Sequence, residues 1–442
     1  MHYRIFETDG VSLEMEKWAK VLENQGHKVY FIGGNETEDH LWLPSLNYID
    51  EATKELNRSC YETLGNYSEI GLEEEILRRS QEFSKEMIDL IKTYKIDTII
   101  PNNIFSLGIH LHCAIGLYKA IEVTGIKVIG HHHDFYFERE YYGHPTTKFV
   151  ARTLEQYYPP TTYEAMKHVV INSSAKDHLK ARLGISGTVV PNVFDFEMPQ
   201  WQVDDFNKDF RRSLGIKEED IVLLQATRVT NRKAIELAID VVARMNQTLY
   251  RRKLMATLLY DGRKFTEESK IILLLVGLHE GLDDYENKLI AHAQELGIEM
   301  LMNPEVVGNE RGIVEGSKMY SLWDAYTSCD FITYPSIFEG WGNQFLEAVF
   351  AKKPLLIFDY SVYQSDIKPG GFDVISLGDR YDVSGKGLVK VPQGIVDKAG
   401  GEIIQLLTNQ KKYKQVVESN FSKGKKFFSY DVLGELLVEL LK

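Results

Sequence analysis

Hydrophobic residues recur along the chain with two periods, one typical of buried strands and the other of amphipathic helices. Residues 1–34 contain a short apolar run, a turn at Asp9-Gly10, a helical stripe that includes Trp18 and Leu22, and a second apolar run, KVYFIGG. This order predicts a βαβ unit, whose right-handed crossover makes its two strands parallel. Further strands are predicted in KIDTIIPNN (95–103), KVIGHHHD (127–134) and HVVINSS (168–174). The N-terminal part of the chain is therefore predicted to contain a parallel sheet.

A second alternating series begins at the apolar run IVLLQATRV (221–229), after a polar, helix-poor stretch. Such a stretch is typical of a domain boundary. We therefore predict an α/β fold of two doubly wound, Rossmann-like domains, residues 1–200 and residues 205–425. In the second domain, strands are predicted at 271–277, near 301–306, at 330–336 and at 354–360, and helices at 232–248, 285–296, 319–328 and 343–351.

Three segments lie outside this alternation. Residues 35–94 are more charged and helical, and we place them outside the first sheet. Residues 135–163 are rich in Tyr and Phe, which is typical either of loops and short helices that line a cleft or of a plain packed surface. Residues 426–442 carry leucines at helical spacing and are predicted to form an amphipathic helix that packs back on the N-terminal domain.

Composition narrows the class of protein. Of the 442 residues, 44% are hydrophobic and 26% are charged, as in ordinary globular proteins. The 51 basic and 64 acidic residues give a net charge of −13, so we expect no bulk binding to nucleic acid. The three cysteines lie far apart, without the spacing of a metal site. With no signal-peptide pattern and no apolar run near the roughly 20 residues of a membrane span, we expect a cytoplasmic protein.

The stretch YPSIFEGWGNQFLEAVFAKKP (334–354) carries the most informative chemistry. Glu339 ends a strand-to-loop segment, Gly340 and Gly342 let a ligand approach the backbone closely, and Glu347 lies in the helix that follows. Two carboxylates with seven residues between them can accept hydrogen bonds from hydroxyl groups at two points of one ligand. A glycine turn with solvated acids is an equally weighted alternative.

This stretch resembles the E-x7-E signature of the retaining, family 4 glycosyltransferases. The resemblance implies the GT-B architecture, in which two Rossmann-like domains face a central cleft and the second domain holds most of the nucleotide-sugar. It implies that Glu339 contacts the donor sugar and Glu347 the ribose. Asn343-Gln344 stands where many members have small or aliphatic residues, so donor-sugar selectivity is not carried over. The implied donor site also includes Gly10, Gly277, Gly340, Gly342 and Asn343.

A second match lies in LLQATRVTNRKAIELAID (223–240). Arg228 closes a predicted strand and Lys233 follows five residues later, so both cations can reach a pyrophosphate at the carboxyl edge of the sheet. Taken alone, a solvated helix start is the better interpretation of this pair. The family places an Arg and a Lys at this spacing to neutralise the leaving diphosphate, which implies that role for Arg228 and Lys233.

Three weaker agreements support the same assignment. The segment 9–12 occupies the place of the family's glycine-rich first loop, although it lacks the usual double glycine. PNVFD (191–195) resembles the segment that ends the first domain in the family, with Val193 in place of Gly. LLLVGLHEG (273–281), which contains Gly277, resembles the strand and glycine turn near the nucleotide.

The run GHHHDFYFERE (130–140) contains three consecutive histidines. Because side chains alternate along a strand, His131 and His133 are predicted to share one face while His132 points away. A metal site would need ligands from elsewhere, and one catalytic or structural histidine beside two incidental ones is the alternative. Family members often carry His and then Asp at this strand end, facing the sugar. The resemblance gives this role to His133 and Asp134, and less directly to His131.

The chain contains no two Asp residues separated by a single residue, so it lacks the D-x-D motif with which the other large glycosyltransferase architecture holds a divalent cation. We therefore predict an enzyme that requires no metal and no other cofactor. In it, Arg228, Lys233 and helix dipoles stabilise the charge of the diphosphate.

The resemblance predicts transfer of a hexose, glucose or mannose, from a nucleoside-diphosphate donor to a hydroxyl of a small soluble acceptor. The runs HHHDFYFERE and GNQFLEA resemble members that build compatible solutes of the glucosylglycerate type. Alternatives are a GT-B-like epimerase or phosphorylase and a non-catalytic nucleotide-sugar-binding protein. No oligomeric state is predicted. The candidate acceptor-binding residues are His131, Arg139, Lys148 and Arg152.

Overall fold

The computed structural model describes residues 1–6, 9–277, 284–302, 305–308 and 310–442. The chain forms two compact units, which are described separately. The first unit comprises Met1–Val193 with Tyr430–Lys442, and the second comprises Phe194–Ser429.

The division lies within the PNVFD segment, a few residues before the boundary predicted at 200–205. The chain joins the second unit this early because the N–H of Phe194 donates a hydrogen bond to Phe428 O at 2.8 Å. The Phe194 ring also packs 4.9 Å from that of Phe350, in the same unit. The C-terminal return to the first unit begins at Tyr430, where the sequence predicted 426.

The sheet of the first unit is parallel, with four strands side by side in chain order. Its strands are shorter than the predicted apolar runs, because the runs continue into the loops at the carboxyl edge of the sheet, where the strands end. The strands are Thr98–Ile99, Lys127–His132, Met166–Val170 and Thr188–Val189.

The predicted βαβ unit at the N-terminus is present only in part. Its helix, Gly10–Asn24, buries the predicted stripe, which includes Trp18 and Leu22. Its second strand is reduced to Ile32–Gly33, which pairs in parallel with Leu41–Trp42. Its first strand is replaced by an extended segment, in which Met1 O accepts a hydrogen bond from Asn102 N at 2.9 Å.

The remaining helices of the first unit include the predicted charged, helical segment 35–94. The longest of them, Glu69–Tyr94, packs on Leu111–Thr124 through a buried face that includes Phe83 and Met87. The aromatic segment 135–163 forms two short 3-10 helices and then an α-helix. The α-helices of this unit are Gly10–Asn24, Glu51–Tyr61, Glu69–Tyr94, Leu111–Thr124, Lys148–Tyr157, Ser173–Leu183 and Tyr430–Leu441.

The C-terminal helix Tyr430–Leu441 packs on the helix Gly10–Asn24, as its leucine spacing predicted. Leu433 and Leu437 join Trp18 in one buried cluster. The amide of Gln25 donates a hydrogen bond to Gly434 O at 2.9 Å, which ties the end of one helix to the middle of the other.

The main sheet of the second unit is parallel and six-stranded. Its strands Ile221–Gln225, Ile271–Leu275 and Phe331–Tyr334 are buried on both faces, as expected for a parallel sheet covered by helices. In spatial order the strands are Ile375–Ser376, Leu355–Ile357, Phe331–Tyr334, Ile221–Gln225, Ile271–Leu275 and Glu299–Met302.

Among the described residues of the second unit, helices and two small sheets complete the fold. One small sheet pairs Ser317–Ser321 with Val307–Gly308 and Gly312–Val314, and the other pairs Asp382–Val383 with Val389–Lys390. Across both units, none of the described helices is long and apolar enough to cross a membrane. The α-helices of the second unit are Phe210–Ser213, Ile235–Met245, Thr248–Ala256, Asp284–Glu295, Leu322–Ser328, Asn343–Phe350, Gln393–Leu407 and Gln410–Phe428.

Candidate active site

The two central strands of the second unit end side by side, and the loops that follow them carry most of the predicted site. The strands that follow Ile221–Gln225 in the chain lie on one side of it, and the strands that follow Phe331–Tyr334 lie on the opposite side of the sheet. Open parallel sheets bind ligands at the carboxyl edge where the strand order reverses in this way. The two loops also contact each other, since Ile337 N donates a hydrogen bond to Arg232 O at 2.9 Å.

Glu339 lies between two cations of the neighbouring loop. Its Oε1 accepts a hydrogen bond from Lys233 Nζ, and its Oε2 lies 3.2 Å from Arg232 Nη1. Both Glu339 and Lys233 are buried. Burial lowers the pKa of Lys233, and the Glu339 carboxylate opposes this change, while the charges of Arg232 and Arg228 add to it. Three cations and one carboxylate therefore share this edge of the sheet.

Glu347 is held by a buried tyrosine. The hydroxyl of Tyr326, on the helix Leu322–Ser328, donates a hydrogen bond to Glu347 Oε2 at 2.8 Å. Burial and the charge of Glu347 both raise the pKa of Tyr326, so its hydroxyl stays protonated and acts as a donor. The carboxylate at the second predicted ligand position is thus fixed by a side chain from another helix.

The helix Asn343–Phe350 begins directly after a glycine that has no room for a side chain. Gly342 has a φ of 154°, and a Cβ there would collide with the Tyr360 hydroxyl. That hydroxyl donates a hydrogen bond to Trp341 O at 2.7 Å, which fixes the turn. The glycine therefore allows the close turn that carries the chain from Glu339 into this helix.

In the first unit, the histidine run ends the strand Lys127–His132. The rings of His131 and His133 lie 4.1 Å apart, and the other face of His131 stacks on Trp18 at 4.3 Å. His132 points to the opposite face, where its Nε2 lies 3.1 Å from Nδ1 of His168. The predicted alternation of the three side chains is confirmed.

His133 is fixed by two asparagines that follow the neighbouring strand. Its Nε2 lies 3.0 Å from Asn102 Oδ1, and its backbone N–H donates to Asn103 Oδ1 at 2.8 Å. The Asn102 amide nitrogen donates to Ile100 O at 3.2 Å, which leaves its oxygen to accept from His133. Burial lowers the pKa of His133 to about 4, against the opposing charge of Asp9. The ring is therefore neutral near pH 7, with the proton on Nε2.

The other predicted residues of the first unit lie in three places. Asp134 Oδ2 is 3.1 Å from the guanidinium of Arg139. Lys148 and Arg152 are exposed on the helix Lys148–Tyr157. Gly10 is the first residue of its helix, where Asp9 Oδ1 caps the N-terminus by accepting from Val11 N at 3.0 Å. Within the described ranges, no group of three or more His, Cys, Asp or Glu side chains is placed to hold a metal ion.

Comparison with known proteins identifies the family. Residues 206–423 match the family model described as "Glycosyl transferases group 1". The chain is 39% identical over 429 residues to mannosylglucosylglycerate synthase of Petrotoga mobilis, covering 97% of both proteins. It is also 39% identical over 442 residues to mannosylglucosylglycerate synthase of Thermotoga maritima, covering 99% of this chain and 97% of that protein. The chain belongs to the group 1 glycosyltransferases.

Solved structures of glycosyltransferases share the fold. One from Rickettsia africae superposes with a TM-score of 0.65 at 14% identity, covering 99% of this chain and 97% of that one. Sucrose-phosphate synthase from Thermosynechococcus elongatus superposes with a TM-score of 0.60 at 12% identity, covering 100% and 95%. The predicted GT-B fold, with two Rossmann-like domains, is confirmed.

In this glycosyltransferase the predicted donor residues of the second unit fall on the ends of neighbouring strands. Gly277 follows the strand Ile271–Leu275 and packs so closely on Thr227 that a Cβ would collide with its carbonyl. The later part of LLLVGLHEG, residues 278–281, lies outside the described residues. On the two central loops and the helix after them lie Arg228, Lys233, Glu339, Gly340, Gly342, Asn343 and Glu347.

Several residues of the site were missed at the level of sequence. Arg232 directly precedes Lys233 in the sequence, and a second cation beside a predicted phosphate-binding residue could have been recognised as part of the site. Asn102 and Asn103 end the predicted strand 95–103, where the carboxyl edge is expected, so they too had a signal. No sequence signal identified Tyr326, because a tyrosine within an apolar helix is most simply explained as a residue of the hydrophobic core.

Proposed function

We propose that this glycosyltransferase moves a hexose from a nucleoside-diphosphate sugar to a hydroxyl of a glucosylglycerate-type acceptor, with retention of configuration and without a metal ion. The observation that carries the proposal is the buried pair of Lys233 and Glu339, with the more exposed Arg232 beside it, at the point where the strand order of the six-stranded sheet reverses. The acceptor class is taken from the two mannosylglucosylglycerate synthases, which are 39% identical to this chain.

The cations of this group suit the diphosphate of a donor. A diphosphate is a stronger anion than one carboxylate, and Lys and Arg bind phosphate oxygens through charge-assisted hydrogen bonds. When the diphosphate takes up contacts with Lys233 and Arg228, the oxygens of Glu339 become available to sugar hydroxyls. A nucleotide-sugar also fits the fold, since the Anabaena protein HepE, with a TM-score of 0.55 and 13% identity, was solved in complex with UDP-glucose.

Glu347 suits the ribose. A carboxylate oxygen offers two lone pairs, so Glu347 can accept hydrogen bonds from ribose hydroxyls while Tyr326 holds it. Glu339 lies in the loop before the helix Asn343–Phe350 and Glu347 lies within that helix, so one extended ligand can contact both carboxylates.

Retention follows from attack on the face that the diphosphate leaves. The bond between the anomeric carbon and the phosphate oxygen breaks, the acceptor oxygen bonds to the same face, and the acceptor proton passes to the leaving phosphate oxygen. The products are a nucleoside diphosphate and the new glycoside. Lys233 and Arg228 stabilise the negative charge on the diphosphate, which is the task that a divalent cation performs elsewhere. His133, neutral and oriented by Asn102, accepts a hydrogen bond from a substrate hydroxyl through Nδ1.

The first test is thermal stabilisation by UDP, GDP and ADP and by their glucose and mannose conjugates, because a ligand that binds only the native state raises the melting temperature. The stabilising donor is then incubated with glucosylglycerate, and the product linkage is read by NMR. An α-linked donor should give an α-linked product, and a chelator should leave the rate unchanged. A β-linked product would refute retention. Binding of the donor without formation of any glycoside would favour a non-catalytic binding protein.

A further inference from the structure

The acceptor of the proposed function carries a carboxylate. The first unit should therefore hold a cation at the edge of its parallel sheet where the strands end. The cations predicted from sequence fit this requirement poorly. More than half of the Arg139 side chain is exposed. Lys148 and Arg152 are exposed on a helix that packs against Leu111–Thr124. This inference rests on the proposed function and concerns where its acceptor binds.

Arg4 lies at this edge because of how the N-terminal segment runs. Met1 O accepts from Asn102 N at 2.9 Å, and Tyr3 O accepts from Gly34 N at 3.1 Å, so the segment lies extended between two neighbours. Its end therefore reaches the same edge as Asn102 and His133.

The side chain of Arg4 faces the side on which His133 is held. Alternate residues of an extended segment share a face, so Arg4 lies on the face of His2. His2 Nδ1 is 2.9 Å from Asn102 O, and the side chain of Asn102 contacts His133. Arg4 thus follows His2 on the same face of the extended segment, two residues nearer to the edge of the sheet.

The guanidinium of Arg4 is held in place by side chains while part of it stays exposed. Its Nε lies 3.2 Å from Asp9 Oδ2, and its Nη1 donates to the Tyr48 hydroxyl at 2.8 Å. The guanidinium carbon also lies 5.5 Å from the centre of the Tyr48 ring. The side chain is 36% exposed. A guanidinium carries five N–H donors in a planar fork that matches the geometry of a carboxylate.

We propose that Arg4 binds the carboxylate of the acceptor, with Asp9 and Tyr48 as positioning residues that hold its guanidinium. Asp9 does not repel the acceptor, because its charge is offset by Arg4 and by the positive end of the helix Gly10–Asn24, which it caps. Asp9, which contacts Arg4, also opposes the lowering of the His133 pKa through its charge, so it lies near enough to both residues to act on them.

The test compares two acceptors, glucosylglycerate and glucosylglycerol, of which the second carries a neutral hydroxymethyl group in place of the carboxylate. For the unaltered enzyme, the ratio of kcat/KM for the two acceptors measures the selectivity for the carboxylate. Arg4→Gln should lower kcat/KM for glucosylglycerate about 10- to 100-fold, which is the range of a charge-assisted hydrogen bond. It should leave kcat/KM for glucosylglycerol and the KM of the donor unchanged. Arg4→Lys, which keeps the charge without the fork, should retain part of the selectivity.

Arg58→Gln, at an exposed position paired with Glu51, is the matched control and should leave the selectivity ratio unchanged. Tyr48→Phe should reduce the ratio a few-fold, and it covers the case in which Arg4→Gln folds poorly, as judged by its melting temperature. If Arg4→Gln keeps the selectivity ratio, or lowers kcat/KM for both acceptors equally, Arg4 does not bind the carboxylate. If Arg139→Gln abolishes the ratio, Arg139 is the binding residue instead. An unaltered enzyme that transfers hexose to neither acceptor would overturn the proposed function itself. An active enzyme whose selectivity ratio does not depend on Arg4 would overturn only the role of Arg4.

Discussion

The hydroxyl of Tyr326 donates a hydrogen bond to Glu347 Oε2 across 2.8 Å, from a ring that is fully buried. The bond joins the helix Leu322–Ser328 to the helix Asn343–Phe350, which begins at the proposed donor site. It orients a carboxylate that is only partly buried, and so links the core of the second unit to the proposed ribose contact.

Tyr326→Phe should raise the KM for the donor about tenfold with a smaller change in kcat, because a hydrogen bond to a charged group is lost and Glu347 is no longer held. Steady-state kinetics with varied donor checks this. Tyr413→Phe is the matched control, since its buried hydroxyl donates to Asp330 O at 3.0 Å instead. Equal effects of the two substitutions on the donor KM would show that only packing is at stake.

Lys233→Ala should weaken binding of the nucleoside diphosphate by about 30-fold or more and leave binding of the free nucleoside nearly unchanged, because it removes a cation from the diphosphate alone. Calorimetric titration with both ligands checks this. Lys411→Ala, at an exposed position of the same unit, should change neither affinity. Equal losses for nucleoside and nucleoside diphosphate would contradict a phosphate contact.

Glu339→Gln should lower kcat about 100-fold, since a charged hydrogen bond to the reacting sugar is replaced by a neutral one. It should also destabilise the second unit by about 3 kcal/mol, because Lys233 stays buried without its carboxylate. Adding Lys233→Met should recover much of the melting temperature and none of the activity. Asp205→Asn, in an exposed ion pair with Lys208, should leave stability unchanged. A double variant no more stable than Glu339→Gln would refute the buried pairing.

The first unit should lose stability as the pH falls from about 6.5 toward 4. Burial lowers the pKa of His133 and of His168 to about 4, and that of His2 to about 3. Between these values and the ordinary pKa near 6.5, the unfolded chain binds more protons than the folded one, so acid favours unfolding. Each such histidine contributes about 1.4 kcal/mol per pH unit in this window. Melting temperatures measured from pH 7 to 5 check this, and His168→Gln should flatten the dependence. A profile that is flat above pH 5 would contradict the buried neutral histidines.

Asn102→Asp should raise the pKa of His133, because a carboxylate then faces its Nε2 at hydrogen-bond distance. The acid limb of kcat/KM against pH should move up by about one to two pH units, since His133 would become protonated nearer neutrality. Asn102→Ala removes the contact without adding charge and should lower kcat/KM with little movement of the limb. An unmoved limb in Asn102→Asp would count against a role for neutral His133.

The period of apolar residues predicted both parallel sheets and several of the helices, such as Gly10–Asn24, Ile235–Met245 and Tyr430–Leu441, because burial of one face sets the spacing of apolar residues. The helices Ser173–Leu183, Thr248–Ala256 and Gln393–Leu407 were not predicted. Strand ends were less predictable. The apolar run KVYFIGG forms only a two-residue strand, Ile32–Gly33, since pairing depends on a partner, Leu41–Trp42, that spacing does not reveal. Glu339 and Lys233 could be found from their motifs, and the structure brings them into contact. The pairing of Arg4 with Asp9 and Tyr48 depends on how the chain folds back.

The helix Tyr430–Leu441 has a consequence for biosynthesis. It completes the cluster around Trp18 in the first unit, although the whole second unit, Phe194–Ser429, precedes it in the chain. A nascent polypeptide that has just emerged as far as residue 429 still exposes the apolar face of the helix Gly10–Asn24. The first domain to leave the ribosome therefore stays incomplete until residues 430–441 have followed the second, and until then that face is a surface that chaperones can bind.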